Sequence, residues 1–409
     1  MQIRYKVEVA KEIVIVGGGI AGLATSLGLH RMGVRSLVLE SSESLRVTGF
    51  AFLTWMNAWK AMDALGIGDS LRQQHVQLQG TTCVSATTGH TTSRLSFLVP
   101  GKCGNHEVRC LRRRTLLETL EKELPQGTIR FGSKVVSIEQ THNLKMVHLA
   151  DGTVIKTKVL LGCDGVNSMV AKWLGLQEPV FMGRVAIRGF AENPDGHGLE
   201  HKFLQFFGDG FRGGFLPCDD KAVYWFFTHS PHNKQVEDDP AKMKQYVLSK
   251  LKRLPAEVID VVERTQLDTI FGHPLKLRFP AKLLWGDICK GTACVVGDAF
   301  HPMTPDLAQG ACSALEDSVT LARCIGEALL RKPKEEEEEY NRIKRGLEKY
   351  AKDRRWRCSQ LIATAYVVGF IQQSAGAVMN FFRDECLSEY LAKLFLKKAD
   401  FDCGKLDSP

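Results

Sequence analysis

No C-x-x-C pair and no zinc-ligand spacing occur among the 12 cysteines of this 409-residue chain. That argues against a dithiol redox motif and an ordinary zinc cluster, and the cysteines read as free thiols of a reducing compartment. Long apolar runs are missing too. The longest near the C-terminus, Leu361–Ile371, stops at Gln372 and Gln373, short of the ~20 residues that span a bilayer, so no integral membrane segment is expected. About ten residues precede the first expected strand, no leader is expected ahead of it, and the chain reads as cytoplasmic. Basic stripes are absent: the net charge is +8, and only Arg112–Arg114 and Arg354–Arg357 cluster. This excludes a nucleic-acid footprint and leaves anionic substrates or cofactors open. Internal repeats and low-complexity linkers are absent as well. With 44% hydrophobic residues the chain is long enough for two domains, interleaved rather than strung in series.

What is present is organised around Ile13–Gly22. Ile13–Val16 is a short β-branched run of the kind that forms a buried parallel strand, and Ile20, Leu23, Ala24 and Leu27 then fall on one helical face. Between them, Gly17-x-Gly19-x-x-Gly22 offers a turn free of Cβ atoms, a close backbone approach and tight helix packing. Such a turn delivers free N–H groups and the positive helix end to a pyrophosphate. Glu40, at the end of a second apolar run Ser36–Leu39, stands near the ~20-residue spacing at which a carboxylate grips ribose hydroxyls. A carboxylate there repels a 2′-phosphate, so the tight ligand is expected to be FAD or NAD rather than NADP.

Further along, Gly49–Leu71 reads as helical, with Trp55, Trp59, Met62 and Leu65 in the core, and Arg46 lies in the loop leaving the Glu40 strand. Thr81–Val99 suggests strands. Arg113 opens an amphipathic helix carrying Leu116, Leu117, Leu120 and Leu124. Leu144–Leu149 and Val154–Leu161 form a hairpin about Asp151-Gly152, and the second strand runs into Asp164-Gly165. Val185–Thr228 is alternating and aromatic-rich, as an antiparallel sheet with one face on an apolar cavity would be, and Arg188 is the charge that stands out within it. His229–Pro240 is an expected loop. A third strand, Ala293–Val296, ends in Gly297-Asp298, and a proline-stiffened loop through His301, Pro302 and Pro305 leads to Gln309-Gly310 and a helix to about Leu330. Glu335–Glu339 and Arg342–Arg357 form a charged surface helix with the i,i+4 pairs Glu338–Arg342 and Glu348–Lys352. Tyr366, Phe370, Phe381 and Phe382 are expected to pack across the two domains.

These three strand ends in order, with His301-Pro302 after the last, resemble the single-component (class A) FAD-dependent aromatic hydroxylases, relatives of para-hydroxybenzoate and salicylate hydroxylase. Asp164-Gly165-Val166-Asn167-Ser168, Ala314-Leu315-Glu316-Asp317 and Arg354-Arg355-Trp356-Arg357 look most like the plant monooxygenase group, with zeaxanthin epoxidase more distant. The resemblance implies an α/β fold like that of para-hydroxybenzoate hydroxylase. A Rossmann-like FAD-binding domain (12–80, 104–180 and 285–332) would be interleaved with an antiparallel-sheet substrate domain (81–103 and 181–284), followed by a C-terminal helical region (333–409). FAD would be bound tightly and without a covalent link. Gly17, Gly19, Ile20, Ala21, Gly22 and Glu40 would hold its ADP half; Asp164 and Gly165 would serve both FAD and the passing NAD(P)H. Gly297 and Asp298 would hold the ribityl and pyrophosphate. Arg46, Arg113, Pro305, Gln309, Gly310 and Ala311 complete the implied contacts. Arg188 and Pro302 are the candidates for the reacting region, His301 reads as structural, and no metal is implied.

The implied activity is a monooxygenase that uses NADPH or NADH and O₂ to insert one oxygen, through a flavin C4a-hydroperoxide, into a small aromatic metabolite. An epoxidase or oxidase on the same fold, or an FAD-containing binder without turnover, are the alternatives. A monomer or homodimer is expected. Two departures from the family pattern stand out: Val170-Ala171-Lys172 replaces the usual Val-Arg, and Ala308-Gln309-Gly310 replaces Gly-Gln-Gly beside the flavin.

Overall fold

The computed structural model describes residues 6–46, 50–231, 237–330 and 336–406. Gly49, residues 232–236 of the expected loop, and Glu335 lie outside them.

The central sheet grows from the strand Lys6–Val16, which begins earlier than the apolar run alone suggested. It pairs in parallel with Leu37–Leu39 on one side and Thr153–Gly162 on the other. Ile129–Arg130 extends the first side and Ala293–Val295 the second, while the antiparallel hairpin Val135–Thr141 and Leu144–Leu149 joins at Thr153–Gly162. Alternation decides which side chains face which layer. Ile13 and Ile15 enter the core shared with the helices Ile20–Arg31 and Gly310–Leu330, whereas Val14 and Val16 face a second core on the other side. Burial on both faces is why the run reads as continuously apolar.

Register then does something local sequence cannot. Val16 pairs with Gly162, and Gly162 pairs with Val295, so the three motifs leave the sheet side by side at one edge. The order of the parallel strands changes direction about Lys6–Val16, the kind of crevice where open α/β sheets bind ligands. Small residues close the layer above: a Cβ on Gly28 would lie 2.8 Å from the Ala322 Cβ, so these two helices meet at near-backbone contact.

The second sheet has seven strands in the order Ile270–Leu277, Val180–Glu192, Ala222–His229, Phe211–Pro217, Lys202–Phe207, Gly80–Ser85 and Thr91–Ser96. It is antiparallel as expected except for one parallel pair, Lys202–Phe207 with Gly80–Ser85, which joins the segment inserted early in the chain. One face carries Phe206, Phe215, Trp225 and Phe227 against the helices Pro240–Lys250 and Ala256–Arg264. The other face looks back toward the first sheet.

Three readings require correction. The expected helix Gly49–Leu71 is a short strand, Ala51–Thr54, followed by the helices Met56–Ala64 and Gly68–Arg72; the β-branched-poor segment is held extended by pairing with Arg109–Arg112. In the long helix Glu336–Gln372, Leu361, Ile362, Ala365 and Val368 make the buried face, leaving Tyr366 and Phe370 exposed. Phe381 and Phe382 are exposed as well, so these four aromatics do not tie the region to the rest; the buried Phe395, whose ring lies 6.0 Å from that of Trp55, does. Glu338 does pair with Arg342, but Glu348 pairs with Lys344 rather than Lys352.

Candidate active site

The glycine turn is built so that only hydrogen fits at two positions. A Cβ on Gly17, whose φ is +104°, would stand 2.5 Å from the Cys163 carbonyl, and one on Gly22 would stand 1.9 Å from the Gly17 carbonyl. Gly19 differs. Its nearest non-neighbouring atom is Arg113 Nη2 at 3.9 Å, so it borders open space. The helix Ile20–Arg31 starts there without a side-chain cap, leaving its first N–H groups to face a cleft of about 280 Å³. Glu40, buried beneath the cleft, accepts the Gly18 N–H at 2.8 Å through one oxygen and the Ser42 N–H at 2.8 Å through the other. Arg46 Nη2 lies 3.5 Å from the same carboxylate.

Asp164 sits on the far wall of this cleft. Its carboxylate accepts the Ser168 hydroxyl and the Met169 N–H (2.7 Å), so it caps the short helix Met169–Trp173. Burial drives its pKa above the ordinary value, against those hydrogen bonds. Gly165 follows with φ +76° and nothing within 4 Å of a notional Cβ, so the constraint at this glycine is conformational.

Arg113, at the start of the helix Arg113–Lys122, lines this cleft and also a second cavity of about 250 Å³. The second cavity lies between the sheets. Tyr224, Phe226 and Phe203 form its apolar wall, alternating with the side chains buried under the helices. Facing them are Asp298, Pro305, Gly310 and Ala311. Arg188 projects from Val180–Glu192 on the cavity face, half-buried, and has no hydrogen-bond or ion-pair partner among the described residues. Its charge, with that of Arg46, adds to burial in lowering the pKa of Arg113, while Asp298 works the other way.

Two buried polar clusters brace the loop between Gly297 and Gly310. In one, Asp306 receives Arg184 through both oxygens (3.1 and 2.6 Å) and lies 3.4 Å from Arg212, which in turn bonds Gln372. Burial alone would raise the Asp306 pKa, but the two guanidinium groups hold it below the usual carboxylate range. In the other, Asp317 accepts His301 Nε2 at 2.6 Å and Arg354 Nε at 2.6 Å. Burial opposes a charged imidazole, yet the Cys358 sulfur and the Asp317 carboxylate outweigh it and keep the His301 pKa well above its ordinary value. His301, Asp317 and Cys358 are groups a metal favours, but both carboxylate oxygens already accept donors and a guanidinium adjoins them.

The residues present therefore fit a dinucleotide: a cradle closed to any Cβ, an uncapped helix start, a buried carboxylate and an adjoining aromatic-walled cavity. Comparison with known proteins decides which. The FAD binding domain family (FAD_binding_3) matches residues 10–364, most of the chain. The chain is a class A FAD-dependent monooxygenase family member. It is 53% identical over 405 residues to Monooxygenase 2 of Arabidopsis thaliana, covering 98% of this chain and 99% of that one. Monooxygenase 1 of the same plant is 36% identical, covering 96% and 99%. Among solved structures, Klebsiella pneumoniae HpxO complexed with FAD and uric acid shares the fold, with a TM-score of 0.81 at 21% identity over 96% of this chain and 98% of that one. No helix among the described residues is long and apolar enough to cross a membrane.

In this monooxygenase the structure gathers most of the sequence-derived candidates. Gly17, Gly19, Glu40, Arg46, Asp164 and Gly165 line the first cleft; Ile20, Asp298, Pro305, Gly310, Ala311 and Arg188 line the second, and Arg113 lines both. Ala21 and Gly297 stand behind the cleft, where a Cβ on Gly297 would come 2.8 Å from the Ala21 Cβ. Two candidates lie elsewhere. Pro302 is buried behind the cavity with its carbonyl accepting the Arg278 N–H at 3.1 Å. The Gln309 amide, 1% exposed, accepts from Asn57 at 2.8 Å and does not line the cavity. Residues that were not among the candidates line the two cavities as well: Ser133, Lys134 and Asn167 at the first cleft, and Gln205, Arg212 and Asp306 at the second. Two of them carried a signal: Asn167 as part of the Asp164–Ser168 motif, and Arg212 as a charge inside the aromatic run.

Proposed function

We propose that this monooxygenase uses NADPH or NADH and O₂ to insert one oxygen atom into a small aromatic metabolite. The observation that carries the reading is the second cavity. It joins the dinucleotide cleft through Arg113, is walled by Tyr224, Phe226 and Phe203, and holds one arginine, Arg188, with no partner of its own among the described residues. When bound, FAD supplies the redox chemistry that a side chain cannot.

The chain's own residues do the rest. The helix start at Ile20 and the Gly17–Gly19 turn would receive the pyrophosphate, and Glu40 the ribose. Asp298 and the Gly310 turn border the place where the flavin ring would reach the substrate cavity. The aromatic wall excludes water from the reacting edge, which protects the oxygen-transfer step. Arg188 orients a substrate carrying a phenolate or carboxylate.

The deciding experiment is rapid-mixing absorbance of the yellow protein with NADPH and a panel of phenols that includes salicylate. Acceleration of flavin reduction by one compound, with an oxygenated product, is the expected result. Bound flavin whose reduction nothing in the panel alters, and whose spectrum no phenol shifts, would overturn the aromatic reading in favour of an oxidase or a binder without turnover.

A further inference from the structure

We propose that Arg354, in the long helix Glu336–Gln372, is a positioning residue for the flavin. It acts through two carboxylates that fix opposite ends of the loop from Gly297 to Gly310. The inference rests on FAD occupying the two joined cavities.

At the first end, Asp317 Oδ2 accepts the Gly297 N–H at 3.0 Å and His301 Nε2 at 2.6 Å. Gly297 holds φ +61° directly before Asp298, whose side chain borders the cavity. The remaining Asp317 oxygen is taken by Arg354 Nε at 2.6 Å. At the second end, Arg354 Nη1 lies 2.6 Å from Glu316 Oε2. Glu316 Oε1 accepts Asn57 Nδ2 at 2.5 Å, and the same amide nitrogen donates to Gln309 Oε1 at 2.8 Å. A third donor, Arg354 Nη2, reaches the Ser313 hydroxyl at 3.0 Å. One guanidinium thus reaches both ends of the segment that carries Asp298, Pro305 and Ala308 to the cavity.

The energetics favour a positional role over a purely cohesive one. His301, Glu316 and Asp317 are 0% exposed and Arg354 1%, and apolar residues of like volume would fill such a place at lower desolvation cost. What ions add is direction. A planar fork spanning two carboxylates fixes their orientation, as a single ammonium cannot. Arg354 lies on the same rigid helix as Gln372, which receives Arg212 at the substrate cavity, so the helix touches the supports of both cavities.

The test uses full-length apoprotein titrated with FAD, following quenching of flavin fluorescence and the visible circular dichroism of the bound ring, beside the melting curve of each apoprotein. Arg354→Gln is expected to weaken FAD by about 30-fold or more and alter the flavin circular dichroism. Arg354→Lys, which restores charge without the fork, is expected to recover part of the affinity and leave the altered spectrum. Ser313→Ala, which removes one branch, is expected to cost about threefold. Should Arg354→Gln fail to melt cooperatively, Arg354→Lys decides, since it keeps the charge between Glu316 and Asp317 and loses only the fork; a changed flavin spectrum in that folded variant supports the relay. Folded variants that bind FAD within twofold of wild type with an unchanged spectrum overturn it. A wild-type chain that binds no FAD overturns the cofactor reading, and the relay with it.

Discussion

Glu40 accepts the Gly18 N–H at 2.8 Å, so the carboxylate at the end of the second strand also holds the glycine turn in shape. A second oxygen held by Ser42 leaves the group fully oriented before any ribose arrives. Glu40→Ala therefore removes a support of the turn and, on the proposed reading, a ribose contact. A loss of about 10- to 100-fold in FAD affinity is expected, the range of a charge-assisted hydrogen bond or two, and is read by equilibrium titration of the apoprotein.

Asp298 borders the cavity, exposed, and the N–H of the preceding Gly297 is held from behind by Asp317. Asp298→Ala is expected to abolish stable FAD binding while leaving the apoprotein fold intact. A purified variant with full yellow occupancy would contradict the assignment.

Arg188 lacks a carboxylate partner among the described residues, so replacing it leaves no buried charge unpaired. Arg188→Met should keep FAD affinity within about twofold and weaken an anionic aromatic ligand by about tenfold or more, the effect of losing a charged hydrogen bond. Ligand-induced shifts of the flavin spectrum give both numbers in one preparation.

Ala308 occupies the left-handed region at φ +51°, where the family commonly has glycine. A Cβ there costs about 1–2 kcal/mol, partly offset by the extra freedom glycine has when unfolded. Ala308→Gly is expected to stabilise the apoprotein by about 0.5–1 kcal/mol, measured by urea unfolding, and to widen the space beside Gly310.

The Asp306 clamp predicts a pH signature. Its folded pKa lies below the ordinary carboxylate value, because Arg212 and Arg184 outweigh burial. The group's contribution is therefore complete above the unfolded pKa of about 3.9, and is lost as pH falls from there through the folded value. Asp306→Asn should flatten that acid limb. It should also cost about 3–5 kcal/mol at pH 7, since two guanidinium groups lose their counter-charge. Urea midpoints across pH 2.5–7 would show both effects.

The chain's local chemistry determined the strand ends, the glycine turn, the helix beginning at Gly310 and the likeness to the family. Those signals are short-range: a turn that excludes Cβ atoms, a carboxylate after an apolar strand, a proline-stiffened loop. Alternation even foretold the aromatic cavity wall, because a strand's period is fixed by its backbone. Tertiary structure alone decided the rest. The in-register alignment of Val16, Gly162 and Val295 depends on strand order, and the pairs Arg212–Asp306 and Arg354–Asp317 join residues 94 and 37 positions apart. In the C-terminal helices, Tyr366 and Phe370 turn outward while Arg354 and Gln372 turn inward. A charged residue on a helix reads as solvated until the fold sets an opposite charge beside it, and only packing can do that.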